Sequence, residues 1–281
     1  DDLIRYHFHV IFNFFEYTHI ESHMIKVTRD AELDMEGDVS KSYINKIVES
    51  VRDRFLAEPV RLVHDKNISS DTLDMVKKIL GVGTDDSLIP GGRYHHRRDY
   101  MNFPHLNRSD LQYECEDALP INGLSLEKSI FKAIKNKDYL LYTPYHSFSF
   151  VIKFLREAAL DPEVTIIKIT IYRLSKLSNV ASSLINAAKN GKKVLVQIEL
   201  QARFDETNNI IYAEQMQAAG VELIFGVPGL KVHSKICVIE KITHGNKRRY
   251  GIISTGNFNE DTAKVYTDYT LFTSNQKVLK E

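Results

Sequence analysis

The spacing of apolar residues predicts an irregular mixture of elements early in the chain and a regular alternation of strands and helices afterwards. Residues 1–15 are apolar and aromatic, compatible with a helix or a strand. Residues 20–27 alternate as a strand does, and residues 60–63 form a short strand candidate. Ile44, Ile47, Val48, Val51 and Phe55 recur at helical spacing and predict a helix over 40–56. Another helix is expected over 71–80, opened by Ser70 as N-cap. A Gly-Val-Gly break follows, and then a Pro-Gly-Gly turn at 90–92. From Tyr94 to Asn122 the residues turn polar, which places a domain boundary between 105 and 125 and gives domains of 1–118 and 119–281.

Past the boundary the rhythm is plainer. Helices are expected over 124–134, 148–159, 180–188 and 210–219, with strands over 139–142, 164–172, 194–200 and 221–225. Sequential strands follow at 236–239, 250–254 and 269–272. Strands alternating with helices of this length indicate an α/β layer with a largely parallel sheet. A length of 281 residues agrees with two domains.

Charge changes this picture only locally. Lys plus Arg and Asp plus Glu both number 37, so a polyanion must be met by a patch, and composition argues mildly against nucleic acid. That patch exists: 168–203 holds seven Lys or Arg and a single acid, Glu199. The two cysteines, Cys115 and Cys237, show no metal-binding spacing and read as reduced residues of a cytoplasmic protein. No stretch approaches the roughly 20 apolar residues that span a bilayer. The chain opens at Asp1 without an initiator Met or a signal peptide, and reads as part of something longer.

Three polar clusters fall at predicted strand ends, where open α/β sheets bind ligands. They are Tyr172-Arg173 with Lys176, Arg203-Phe204-Asp205-Glu206, and Lys231-Val232-His233-Ser234-Lys235 leading into Thr255-Gly256-Asn257. Residues two apart on a strand share a face, so His233 and Lys235 can address one phosphate. Imidazole, with a free pKa of about 6.5, offers a nucleophilic nitrogen at neutral pH. Lys235 and Lys231 are candidate phosphate contacts, and Arg173 and Arg203 can grip phosphates with planar forks. Asn257 can donate to the phosphate or orient the histidine. The pair Asp205-Glu206 reads as an N-cap and first-turn acid. His95 and His96, next to Arg97 and Arg98, read as structural, and His7, His9, His19 and His23 lack the acids or cysteines of a metal site.

These residues resemble the type 1 polyphosphate kinases. The resemblance is carried by TIYRLSK at 170–176, IELQARFDE at 198–206, GVPGLKVHSK at 226–235 and STGNFNEDTAKVYTDYTLFT at 254–273. It continues in YTPYHSF at 142–148, IKVTRDAELD at 25–34, PVRLVHD at 59–65 and GGRYHHRRDYMNFP at 91–104. It implies a mixed α/β head domain followed by a phospholipase D-like α/β domain. It further implies reversible transfer of the terminal phosphate of ATP to polyphosphate, through a phosphohistidine on His233 and with magnesium. Arg173 and Arg203 then match the magnesium-phosphate site, reached through phosphate oxygens because a guanidinium has no lone pair. Tyr266 matches a nucleotide contact, and the head domain implies a homo-oligomer. Tyr142 and Gln201 stand where the family often has histidine and lysine. The family's N-terminal and second phospholipase D-like domains are not in this sequence, so these residues alone are expected to turn over weakly. Two rival expectations stand beside this one. One is a dimeric phospholipase D-like phosphodiesterase using Glu240; the other is a non-catalytic module binding polyphosphate or nucleotide.

Overall fold

The structure is a computed structural model describing residues 2–30, 57–83, 87–104, 106–114, 116–199, 206–226 and 232–280. The helix expected over 40–56, Cys115, Gln201, Arg203, Asp205 and Lys231 lie outside the described residues. The chain divides into two compact units after Glu114.

The first unit starts with two short helices, α1 (Asp2–Tyr6) and α2 (Phe8–Ile11). Its three strands, β1 (Ile25–Arg29), β2 (Pro59–Asp65) and β3 (Ser87–Gly91), form a sheet in that order. β1 pairs antiparallel with β2, and β3 pairs parallel with β2. The parallel step needs a crossover, and α3 (Ser70–Leu80) supplies it. The cap of α3 is Ser69, one residue before the expected Ser70: its side chain accepts from Thr72 N–H at 3.4 Å. Gly81 closes the helix at φ 69°, a left-handed turn that glycine takes without a Cβ clash. The Pro-Gly-Gly signal at 90–92 hid β3, because proline within a run argues against a strand. Here Pro90 sits on an edge strand, where a missing N–H costs no ladder bond.

The second unit carries α4 (Ile130–Ile134), β4 (Tyr139–Thr143), α5 (Ser149–Leu160), β5 (Val164–Ile171), α6 (Asn179–Lys189), β6 (Lys193–Ile198), α7 (Glu206–Ala218) and β7 (Glu222–Phe225). It ends with β8 (Ile236–Thr243), β9 (Asn246–Ser254) and β10 (Asp268–Thr273). The core follows the apolar spacing. α5 buries Phe150, Val151, Phe154, Leu155 and Ala158, and α6 buries Val180, Ala181, Leu184 and Ala187. Both pack on the β-branched strands β5 and β6, whose Ile167, Val196 and Ile198 are fully buried.

The sheet order is β4-β10-β9-β8-β5-β6-β7. Parallel pairing is confined to β5-β6 and β6-β7, and every other neighbouring pair is antiparallel. Followed across the sheet, these pairings point β4, β5, β6, β7 and β9 one way and β8 and β10 the other. The sheet is therefore mixed in its pairing and largely parallel in strand direction. The break comes from the hairpin joining β8 to β9. Its tip, His244 (φ 49°) and Gly245 (φ 78°), takes the left-handed conformation that a tight hairpin needs. One edge of the sheet thus collects the ends of five strands and the beginnings of two. Among the described residues no helix is long and apolar enough to cross a membrane.

Candidate active site

That edge brings the described residues of the first and third sequence clusters together. Tyr172 and Arg173 leave β5, Glu199 leaves β6, and Thr255 to Asn257 leave β9. His233 to Lys235 lead into β8 from the same side because β8 runs the opposite way, and Asp268 opens β10 there.

The segment holding His233 is stitched from both neighbours. Thr170 Oγ1 donates to Ser234 O at 2.7 Å and accepts from Ile236 N–H at 3.0 Å. Ser254 N–H donates to Lys235 O at 2.8 Å, and Val232 N–H reaches the buried Glu199 carboxylate at 3.4 Å. His233 itself is exposed, whereas Lys235 is only 6% exposed. The Lys235 ammonium donates to His233 O at 2.6 Å, so the lysine lies under the histidine. The Tyr172 ring meets the His233 imidazole edge-on at 5.6 Å between centroids.

Arg173 is set by a residue whose role the motif alone did not disclose. Asn209, on α7, is fully buried. Its amide oxygen accepts from Leu174 N–H at 3.2 Å, and its amide nitrogen donates to Tyr172 O at 2.9 Å and Glu199 O at 3.2 Å. One side chain thereby holds the peptide on both sides of Arg173 and ties it to the end of β6. Glu260 anchors the same loop further on: its carboxylate accepts from Ser175 Oγ and Asn179 N–H, both at 2.6 Å. It occupies the N-terminus of α6, where a negative charge is favoured. An Asn and a Glu near polar motifs are ordinary in sequence. Only their partners mark them.

The turn after β9 carries Asn257. Its Oδ1 is buried and finds no hydrogen-bond partner among the described residues. Leaving a buried acceptor open costs about 1–3 kcal/mol, which sets this oxygen apart from the other buried polar atoms of the described residues. Asn257 therefore presents an acceptor as well as the donor expected from its sequence position. Beside it, Gly256 cannot be replaced cheaply, because a Cβ there would strike the Asp268 carboxylate. That carboxylate accepts from Thr255 Oγ1 at 2.8 Å and so ties the β9 turn to β10.

Burial pulls the Lys235 ammonium below the usual lysine range, and the charge of Asp268 opposes this in part. A proton held less tightly in the folded protein gives two opposite trends. A phosphate held by the Lys235 ammonium would be released as pH rises through its lowered pKa, while fold stability rises over the same window because the unfolded chain binds the proton better. For a site that transfers phosphate, the pH profile is therefore expected to lose rate below the ordinary lysine range. Lys235→Arg, whose charge does not titrate, is expected to remove that limb even at a lower plateau. An unchanged limb in this variant would assign it to another group.

Tyr266 stands two residues before Asp268, in the segment leading into β10 at this edge. Tyr266 is 62% exposed, and its backbone N–H bonds Thr262 O. Glu240 does not face His233: it lies along β8, engaged by Lys247 and by Arg249 Nε at 3.1 Å. His95 bonds Met24 O at 3.2 Å, and His23 lies between Glu21 and Asp65. Among the described residues no group of three or more His, Cys, Asp or Glu is arranged to hold a metal ion. Cys237 is buried as a free thiol, and burial pushes its pKa up.

With this geometry in view, the likenesses to known proteins take on meaning. Residues 129–281 match the family model described as polyphosphate kinase C-terminal domain 1, and residues 1–103 match the polyphosphate kinase middle domain. The polyphosphate kinases of Yersinia pestis and Escherichia coli K12 are each 42% identical over the whole chain, which covers 41% of their length. The chain thus spans about two fifths of these curated relatives. The crystal structure of polyphosphate kinase from Porphyromonas gingivalis superimposes with a TM-score of 0.67 at 31% identity, over 99% of this chain and 39% of that one.

Proposed function

This chain belongs to the polyphosphate kinase family, and from that premise we propose that its protein moves the terminal phosphate of ATP reversibly onto polyphosphate through His233. The observation that carries the reading is the exposed His233 imidazole, braced from β5 and β9 and underlain by the buried Lys235.

In the proposed first step a ring nitrogen of His233 attacks the γ-phosphorus in line. The bond to the β-phosphate oxygen breaks, and ADP leaves with the electron pair. In the second step a terminal oxygen of polyphosphate attacks the same phosphorus, the N–P bond breaks, and His233 is restored. Both steps need placement and neutralisation of equatorial charge more than covalent chemistry. Lys235 supplies a point charge and Arg173 a planar fork, with Arg203 and Lys231 as further contacts. Asn257 addresses the phosphate, and Tyr266 contacts the nucleotide. Magnesium is proposed as part of the substrate, carried on the phosphates of ATP. A hard cation of this kind is held largely by phosphate oxygens and water, and no protein cage is required of the residues at this edge. The protein is proposed to be cytoplasmic and homo-oligomeric.

The experiment is phosphate incorporation into the full-length protein from γ-labelled ATP, or from labelled polyphosphate, with and without magnesium. Label that is acid-labile and alkali-stable is expected, and it should chase into polyphosphate or ADP. A folded protein that takes up no label from either donor would remove the kinase reading and leave the site as a binding surface.

A further inference from the structure

The phosphotransfer reading leaves the ring beside His233 without a role. Tyr172 lies between the proposed nucleophile and two of its cations. Its ring meets His233 at 5.6 Å with an interplanar angle of 77°. The Arg173 guanidinium carbon lies 5.6 Å from the ring centroid, and the Lys235 ammonium lies 5.7 Å from it. The first distance is that of an edge-to-face aromatic pair, and the others fall within cation–π reach. The backbone that carries the ring is held, because Tyr172 leaves β5 directly and its carbonyl accepts from Asn209 at 2.9 Å.

We propose that Tyr172 is a positioning residue: an uncharged rack that sets the His233 imidazole against Lys235 and Arg173. The proposal rests on His233 being the phosphate acceptor. Its physical basis is the kind of attraction that an aromatic ring offers. A carboxylate at this place would hold both cations more strongly, but it would cancel their field and repel an incoming phosphate. A ring quadrupole gathers cations without adding net charge, so their positive potential stays available to the ligand. The same ring limits rotation of the imidazole, which must present a nitrogen in line with the phosphorus. All three contacts are made by the ring, so phenylalanine should preserve them and an aliphatic side chain should not.

The test compares Tyr172→Phe and Tyr172→Leu in the full-length protein by single-turnover labelling of His233 at varied ATP. Tyr172→Phe is expected to stay within about threefold of the parent rate. Tyr172→Leu is expected to fall roughly a hundredfold at saturating ATP, the scale of a misplaced reacting group, with half-saturation little changed. Should the leucine variant fail to fold, Tyr172→Met takes its place. A spectroscopic readout accompanies the rates. The His233 imidazole signals, in protein with 13C-labelled histidine, should carry a ring-current shift in the parent and in Tyr172→Phe that the aliphatic variant loses. Parent-like labelling in the aliphatic variant, an equal loss in Tyr172→Phe, or no ring-current shift would overturn the proposal. If the parent takes no label on His233, the phosphohistidine reading falls separately. The spectrum then decides the Tyr172–His233 rack alone, upheld by the shift and overturned by its absence.

Discussion

A His233→Ala variant of the full-length protein is expected to take up no acid-labile phosphate from ATP, a loss of about 10⁴-fold or more, as for removal of other enzymatic nucleophiles. The fold should hold. His233 is exposed, and surface substitutions away from special features stay within about 0.5 kcal/mol. The segment around it is held through Thr170, Ser254 and the backbone of Lys235, none of which needs the imidazole. This separation makes the variant informative against both rivals. A non-catalytic polyphosphate module would bind its polyanion equally well in parent and variant, and neither would take up label. A phosphodiesterase would cleave phosphodiesters without nucleotide and lose that activity on the same substitution. Glu240 gives that second reading little support, because its carboxylate is occupied by Lys247 and Arg249. Acid-labile label persisting on the alanine variant would move the nucleophile to another residue.

Asn209→Leu is expected to lower stability by about 3 kcal/mol or more and to depress phosphate transfer with it. Leucine keeps the branching and heavy-atom count of asparagine, in a bulkier form, but supplies neither donor nor acceptor. The Leu174 N–H and the carbonyls of Tyr172 and Glu199 would lose their partner together. Each buried group left open costs about 1–3 kcal/mol, and at a fully buried position water cannot substitute readily. Asn209→Asp separates the two sides of the side chain. It keeps an acceptor for Leu174 N–H but turns a carboxylate oxygen toward two carbonyls, so it should be destabilised at neutral pH. Protonation at lower pH should recover part of the loss. Denaturant midpoints across pH for the parent and both variants would check this. A loss under about 1 kcal/mol in Asn209→Leu would show that the two loops hold each other without the asparagine.

Much of the second unit could be read from apolar spacing, since most of its helices and strands are long enough for their period to show, although the helix expected over 124–134 covers only Ile130–Ile134. Ile167, Ile169 and Ile171 in β5, or Val180 and Leu184 in α6, sit where the pattern places a buried face. The first unit was less legible. β3 hides behind a proline tolerated only because the strand lies at an edge, and Ser69 and Ser70 are equivalent as caps until the Thr72 N–H picks one. At the site, His233, Lys235 and Arg173 stood out because their clusters fall together at predicted strand ends, where open α/β sheets bind ligands. Tyr172, Asn209 and Glu260 did not, since an aromatic, an amide and an acid are unremarkable until their partners are known.

The sequence by itself determined which segments bury a face and which residue types stand at the strand ends. Those are local properties of period and residue type, and they survive any arrangement of the elements. Tertiary structure alone decided that β8 runs against its neighbours, bringing His233 and Lys235 from the start of one strand to the ends of the others. It also decided that Asn209 spans two loops and that Asn257 Oδ1 is buried without a partner among the described residues. Hydrogen bonds between residues dozens of positions apart depend on strand order and register, and neither is written in the spacing of any one segment.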